Sequence, residues 1–123
     1  MIIEHKETGD VISATVVQDG GKNAVYLLTG TIKSEDDSVF SIFDLAHLKP
    51  QPTNMRLDSI QFAVESGLKA IIQYENKPHA VPLEARGKID LNWFGGLTGH
   101  EMSITFKGVG SFLIVLDISK MGV

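Results

Sequence analysis

Short runs of alternating apolar and polar residues, separated by glycine, proline and asparagine turns, constrain the fold of this chain more than any other feature. In one run, Met102, Ile104 and Phe106 alternate with polar neighbours. A period of two is typical of a β-strand with one face in the core and the other toward water. Runs of this kind recur at short spacing, which favours an all-β fold, either a β-sandwich or a jelly roll.

The pattern predicts about eight antiparallel strands. Their approximate ranges are 10–18, 24–31, 55–65, 68–75, 79–83, 87–93, 100–107 and 111–119. Segment 39–48 suits either a helix or a strand, and we favour a strand that runs into a single turn. Residues 94–99 are expected to form a glycine-rich loop, and Pro82 places strand 79–83 at a sheet edge.

The length of the chain, 123 residues, fits one domain. We expect an N-terminal arm over residues 1–9 and a single β-sandwich domain over residues 10–123. Ile2 and Ile3 are the apolar residues of this arm. An arm of this kind is free to contact a partner chain, so both residues are interface candidates.

Charge and composition exclude several function classes. There is no cysteine, which excludes disulfides and thiol nucleophiles. The net charge is -4, and lysine and arginine are scattered singly, so we expect no nucleic-acid partner. No segment has the apolar length needed to span a bilayer, and residues 1–10 do not resemble a signal peptide.

The sequence contains no recognisable catalytic or metal-binding motif. No serine lies in a nucleophile elbow, and residues 35–37 lack the glycine and the distal glutamate of a calcium loop. The four histidines are widely spread, and they are His5, His47, His79 and His100. We therefore predict no catalytic residue, no cofactor and no metal, and a chain that is not an enzyme. A small jelly-roll isomerase or a glycan hydrolase stays open as an alternative.

Paired carboxylates are the remaining route to acid–base chemistry. The candidates are Asp58, Glu65, Glu84, Asp90 and Asp117. Asp58 and Asp90 fall at outward strand positions, where solvated charges normally lie. Sequence spacing does not place two of them across a cleft, so a structural role is favoured for each.

The sequence has two pairs of apolar residues beyond those that a single core needs to bury. In strand 111–119, Leu113 and Val115 are apolar although they alternate with the inward residues. This indicates either a strand covered by a loop or by the arm, or a subunit interface, since an open antiparallel sheet normally shows a polar face to water. Trp93 and Phe94 are adjacent aromatics beside a turn, which favours a core or interface position over a sugar-stacking platform.

The order of segments from Met55 onward resembles small virion proteins of tailed bacteriophages. The resemblance rests on MRLDSI at 55–60, GLKAII at 67–72, GKIDL at 87–91, FGGLTG at 94–99 and FLIVLDISK at 112–120. It covers a little over half of the sequence and consists of strand patterns with one glycine-rich turn.

This resemblance implies a β-sandwich component of a phage particle. A head decoration (cement) protein that binds across subunit joints is the first expectation, and a tail or neck component is the next. The implied partners are the major capsid protein or other virion proteins, with a homo-oligomer and a location in the virion after synthesis in the host cytoplasm. A carbohydrate-binding or receptor-binding module is the alternative. No catalytic residue is carried over.

Overall fold

The computed structural model describes residues 2–5, 10–33, 38–41, 48, 51–74, 80–91, 96–99 and 102–121. This part of the chain contains eleven strands and no helix. Accordingly, none of these residues lies in a helix of the length and apolarity that a membrane crossing requires.

The strands are short and follow one another closely. They are β1 (Ile2–His5), β2 (Asp10–Asp19), β3 (Asn23–Ile32), β4 (Ser38–Ser41), β5 (Asn54–Val64), β6 (Leu68–Tyr74), β7 (Ala80–Leu83), β8 (Arg86–Asp90), β9 (Leu97–Gly99), β10 (Met102–Gly108) and β11 (Gly110–Met121).

The strands form two antiparallel sheets. The seven-stranded sheet has the order β1-β2-β3-β11-β5-β8, and β9 also pairs with β5. The four-stranded sheet has the order β4-β10-β6-β7. Every pairing is antiparallel. The predicted fold class, an all-β sandwich or jelly roll, is confirmed.

The core lies between the two sheets. Alternate residues of β11 point into it, and Ile114 and Leu116 are both fully buried. The four-stranded sheet contributes Phe106, whose ring centroid lies 4.4 Å from that of Phe112 in β11. Since these two rings come from different sheets, their contact joins the two layers.

Two strands lie where the sequence predicts none. β1 occupies part of the predicted arm and pairs with β2, with Ile2 opposite Ser13 and Ile3 opposite Ile12. β9 lies in the predicted glycine-rich loop and pairs with β5. Strands of three or four residues carry little alternation, and their pairing is decided by the partner strand. β7 ends the four-stranded sheet, as Pro82 predicts.

Two β-bulges interrupt the seven-stranded sheet at the same level. In β2, Val17 is the extra residue between the pairs of Val16 and Gln18. In β5, Asp58 is the extra residue, because Asp117 pairs with Ser59 while Ile118 pairs with Leu57. A bulge adds one residue to one strand, so the register shifts by one while the residues on either side of it keep their faces. Here the bulges shape the outer surface of the sheet.

Candidate functional site

The outer face of β11 carries apolar side chains where water-facing residues are normally polar. Leu113 is 44% exposed, although its neighbours Phe112 and Ile114 are buried. Val115 lies on the same face and is half-buried. The structure therefore directs both residues away from the core, as the alternation of β11 indicates.

Leu113 and Val115 belong to a continuous patch on the two neighbouring strands. Leu113 lies opposite Ala63 of β5, and Val115 lies opposite Leu27 of β3. We call these four residues the apolar strip. Because β3, β11 and β5 are consecutive in the sheet, the strip crosses its centre rather than its edge.

A polar network borders the apolar strip on the side of the β5 bulge. Arg56 Nε donates to Asp58 Oδ1 over 2.7 Å. The Ser119 hydroxyl donates to the second oxygen of the same carboxylate and accepts from Arg56 Nη2 at 3.2 Å. The bulge brings Asp58 to the outer face, where one carboxylate links β5 to β11.

A second carboxylate lies beside this network. Ser59, which is 7% exposed, donates from its hydroxyl to Asp117 Oδ2 over 2.8 Å. Asp90 is paired in register with Ser59 on the neighbouring strand. Asp58, Asp117 and Asp90 thus outnumber Arg56 at this end of the face, and its local charge is negative.

The predicted interface residues are only partly brought together. Leu113 and Val115 lie in the apolar strip, whereas Ile2 and Ile3 belong to β1, three positions from β11 in the sheet order. Trp93 and Phe94 lie outside the described residues.

The residues predicted as candidates for catalysis or metal binding fall into three groups by their place in the structure. Asp58 and Asp117 share the outer face, and Glu65 and Glu84 lie elsewhere, in the groove described next. His47, His79, His100 and residues 35–37 lie outside the described residues. Within the described ranges, no group of three or more histidine, aspartate or glutamate residues is placed to hold a metal ion.

A groove of about 850 Å³ opens at the end of the molecule opposite the polar network. Its rim includes the turns that follow β5 and β7 and the neighbouring ends of β10 and β11, and its charged residues are Glu65, Lys69, Glu84, Arg86 and Lys107. The sequence does not predict this groove, because the segments that line it are far apart along the chain and come together only when the two sheets have formed. The one sequence signal is the presence of charged residues close to each of these turns.

Comparisons with known proteins do not supply a family. No family model matches the chain. No curated protein matches it. EutQ of Clostridium difficile is 10% identical, with a TM-score of 0.44, over 98% of this chain and 76% of that one.

Two further solved structures are similar at the same level. A cupin superfamily protein of Desulfitobacterium hafniense is 11% identical, with a TM-score of 0.39, over 89% of this chain and 77% of that one. A "putative mannose-6-phosphate isomerase" of Ralstonia eutropha is 10% identical, with a TM-score of 0.42, over 89% of this chain and 84% of that one. Such values do not place the chain in a family.

The prediction that this chain is not an enzyme is contradicted by these comparisons, since one of the similar structures is named as an isomerase. The sequence argument rests on the lack of a local catalytic motif. A fold of this type assembles sites from side chains on strands that are distant in sequence, so a missing local motif does not exclude catalysis.

Proposed function

We propose that this chain is a structural component of a bacteriophage particle and docks onto the protein shell through the outer face of its seven-stranded sheet. A head decoration protein is the role we place first. The observation that carries the proposal is the apolar strip, whose residue Leu113 is 44% exposed on a central strand of the sheet.

The position of the strip supports a protein partner. An antiparallel sheet with one face in water normally alternates apolar-in and polar-out. Here Leu27, Ala63, Leu113 and Val115 occupy outward positions of three consecutive strands, beside the polar residues Thr29 and Gln61. Burying the part of Leu113 that is still exposed contributes roughly 1 kcal/mol, because full burial of such a side chain contributes roughly 1.5–3 kcal/mol.

The charge beside the strip indicates the chemistry of the partner. Asp58, Asp90 and Asp117 border the strip at one end, with Arg56 as their counter-charge, whereas Arg86, opposite Ala63, lies beside it on β8. Complementary charges orient partners and suppress wrong ones. The docking surface of the shell protein is therefore expected to be apolar at its centre, with basic groups facing the three aspartates and an acidic group facing Arg86.

The resemblance to phage virion proteins supports a shell as this partner. Segments 55–60, 87–91 and 112–120, which carry much of it, lie in β5, β8 and β11, three consecutive strands of the seven-stranded sheet. A protein that binds the assembled shell and not its loose subunits stabilises the shell by mass action.

Leu113→Glu tests the docking face directly. We expect purified shells that lack this chain to bind the variant at least about tenfold more weakly than the unchanged protein, because a charge replaces a buried apolar contact. Cosedimentation of shells with increasing protein concentration measures the affinity. The fold of each variant is checked by its thermal unfolding midpoint.

Val109→Glu is the matched control. Val109 is 41% exposed, close to the value for Leu113, but it lies in the turn between β10 and β11. Its substitution introduces the same charge outside the strip and is expected to leave shell binding unchanged. Equal affinities for all three proteins would overturn the docking face, and no binding by the unchanged protein would overturn the proposed function.

A further inference from the structure

Within the part of the chain that the structure describes, β8 has a neighbouring strand on one side only. It pairs with β5 and ends the seven-stranded sheet. Along this pairing, Val64 N–H donates to the Ala85 carbonyl oxygen over 2.5 Å, and Leu91 N–H donates to the Asp58 carbonyl oxygen over 2.8 Å. Both bonds fit the register of the two strands as hydrogen-bonded pairs, so the odd-numbered residues 85–91 turn their backbone polar groups toward β5.

The even-numbered residues of β8 turn their backbone groups to the outer edge of the sheet. Successive residues of an antiparallel strand direct N–H and C=O to opposite sides, so those of Arg86, Lys88 and Asp90 face away from β5. A row of such groups is a template for pairing with another strand. β7 also ends a sheet, but Pro82 lacks the N–H that such pairing needs.

The charges of β8 select one register for antiparallel pairing with a second copy of this chain. When Lys88 lies opposite Asp90 of the second copy, Asp90 lies opposite its Lys88, and two pairs of opposite charge flank Ile89. A slip of two residues in either direction keeps the hydrogen-bonding groups in step. It places Lys88 opposite Lys88 or Asp90 opposite Asp90, and like charges at directly opposite positions destabilise a strand pair.

The contact that Asp90 makes in its own chain is compatible with this register. An ionised carboxylate has two oxygens with about four acceptor positions, so it also accepts from the Lys88 ammonium of a second copy. A lysine on an edge strand normally disfavours pairing with another chain. Here the same strand supplies the carboxylate that lies opposite the lysine, which removes this obstacle.

The inner face of β8 supplies an apolar contact for the same pairing. Ile89 packs against the core between the sheets but is only half-buried. Phe62 lies opposite Gly87 with its ring beside that glycine, and it is half-buried as well. In the register set by the charges, Ile89 lies opposite Ile89 of the second copy as a non-hydrogen-bonded pair, in which side chains approach closely. The second copy therefore extends the core across the edge of the sheet.

We propose that two copies of this chain associate edge to edge through β8, with Lys88 of each copy opposite Asp90 of the other. The contact is isologous and closes as a two-fold dimer, in which the two seven-stranded sheets become one. Opposite residues of an antiparallel pair lie on the same face. The dimer therefore presents both apolar strips on one surface, although its formation does not depend on the proposed shell-binding role.

Sedimentation equilibrium of the full chain at increasing concentration tests the dimer. The mass of the unchanged protein should rise from 13.4 kDa toward twice that value. Lys88→Glu places two carboxylates opposite each other at both charge pairs, and Asp90→Lys places two ammonium groups there. In each variant the Kd of the dimer should rise at least about tenfold, because two attractive pairs become repulsive.

An equimolar mixture of Lys88→Glu and Asp90→Lys tests the register. In the mixed dimer every introduced charge lies opposite a residue of the other sign, so the mixture should dimerise although neither variant does so alone. This recovery also separates loss of pairing from loss of folding. Lys22→Glu is the control, since Lys22 is exposed in the turn between β2 and β3, and it should leave the Kd unchanged.

Three results would overturn the proposed dimer. The first is an unchanged protein that stays monomeric up to about 1 mM. The second is a dimer that Lys88→Glu and Asp90→Lys leave intact, or that Lys22→Glu weakens equally. The third is a mixture of the two variants that stays monomeric. None of these results bears on shell binding by the single chain.

Discussion

At the scale of single residues, Gly30 shows how closely the seven-stranded sheet is packed. It lies in β3 between Ile12 of β2 and Phe112 of β11, in register with both. A Cβ added to Gly30 would overlap the Val11 carbonyl oxygen and would lie 3.1 Å from the Phe112 ring. Because Gly30 has no side chain, β2, β3 and β11 can pack closely together at this position.

Gly30→Ala is expected to destabilise the protein by about 2 kcal/mol or more, because the added methyl group has no space without a backbone shift. Gly21→Ala is the matched control, since a Cβ at Gly21 would meet nothing within 4 Å. Urea unfolding measures both. A cost for Gly30→Ala no larger than that for Gly21→Ala would contradict the packing described for β3.

At the scale of elements, the bulge lets β5 bury apolar residues on both sides of it and also place a carboxylate on the outer face of the sheet. Met55 and Leu57 are buried on one side of it and Ile60 on the other. Asp58 is the extra residue between them, and its carboxylate accepts hydrogen bonds from Arg56 and Ser119. The bulge thus adds a polar group to the outer face and keeps both halves of the strand in register with β11.

Deletion of Asp58 is expected to be tolerated, because it leaves Leu57 and Ser59 in the regular pairing that they already have with Ile118 and Asp117. The cost should be about 1–3 kcal/mol, from the lost polar contacts. Deletion of Gln61, which is exposed on the same strand but is not a bulge residue, should unfold the chain, because a one-residue slip exchanges the two faces. Urea unfolding and circular dichroism measure both. Similar stabilities for the two deletions would contradict the assignment of the bulge.

The long alternating elements could be predicted from the sequence, and the short ones could not. Phe112, Ile114, Leu116 and Ile118 are all 5% exposed or less, as the period of two in β11 indicates. β1 and β9 are stabilised by the strands they pair with, and their own residues carry no periodic signal. The groove escapes prediction for the same reason, since its cations come from three different strands.

At the scale of the whole molecule, one buried charge links the end of β11 to the turn between β2 and β3. The side chain of Lys120 is fully buried and pairs with Asp19, while its ammonium donates to the Gly20 carbonyl oxygen over 2.6 Å. Its backbone N–H donates to the Lys22 carbonyl oxygen over 2.7 Å. Sequence alternation places Lys120 on the inner face, but only the fold shows the partner that makes a buried lysine acceptable.

The molecule therefore presents two distinct surfaces on one rigid sheet pair. The apolar strip and its charged border form one surface, which we propose to dock on a shell. The groove at the turn end, with both acidic and basic residues in its lining, forms the other. Leu113 lies where the two surfaces meet, because it belongs to the strip and also lines the groove.

The copy number of this chain in purified phage particles, relative to the major shell protein, tests the central claim most directly. Quantitative mass spectrometry of intact particles provides this ratio. The account predicts a copy number comparable to that of the shell protein, since a decoration protein occupies the repeated joints of the shell. A handful of copies per particle would contradict the decoration role, and complete absence from the particles would contradict the virion function itself.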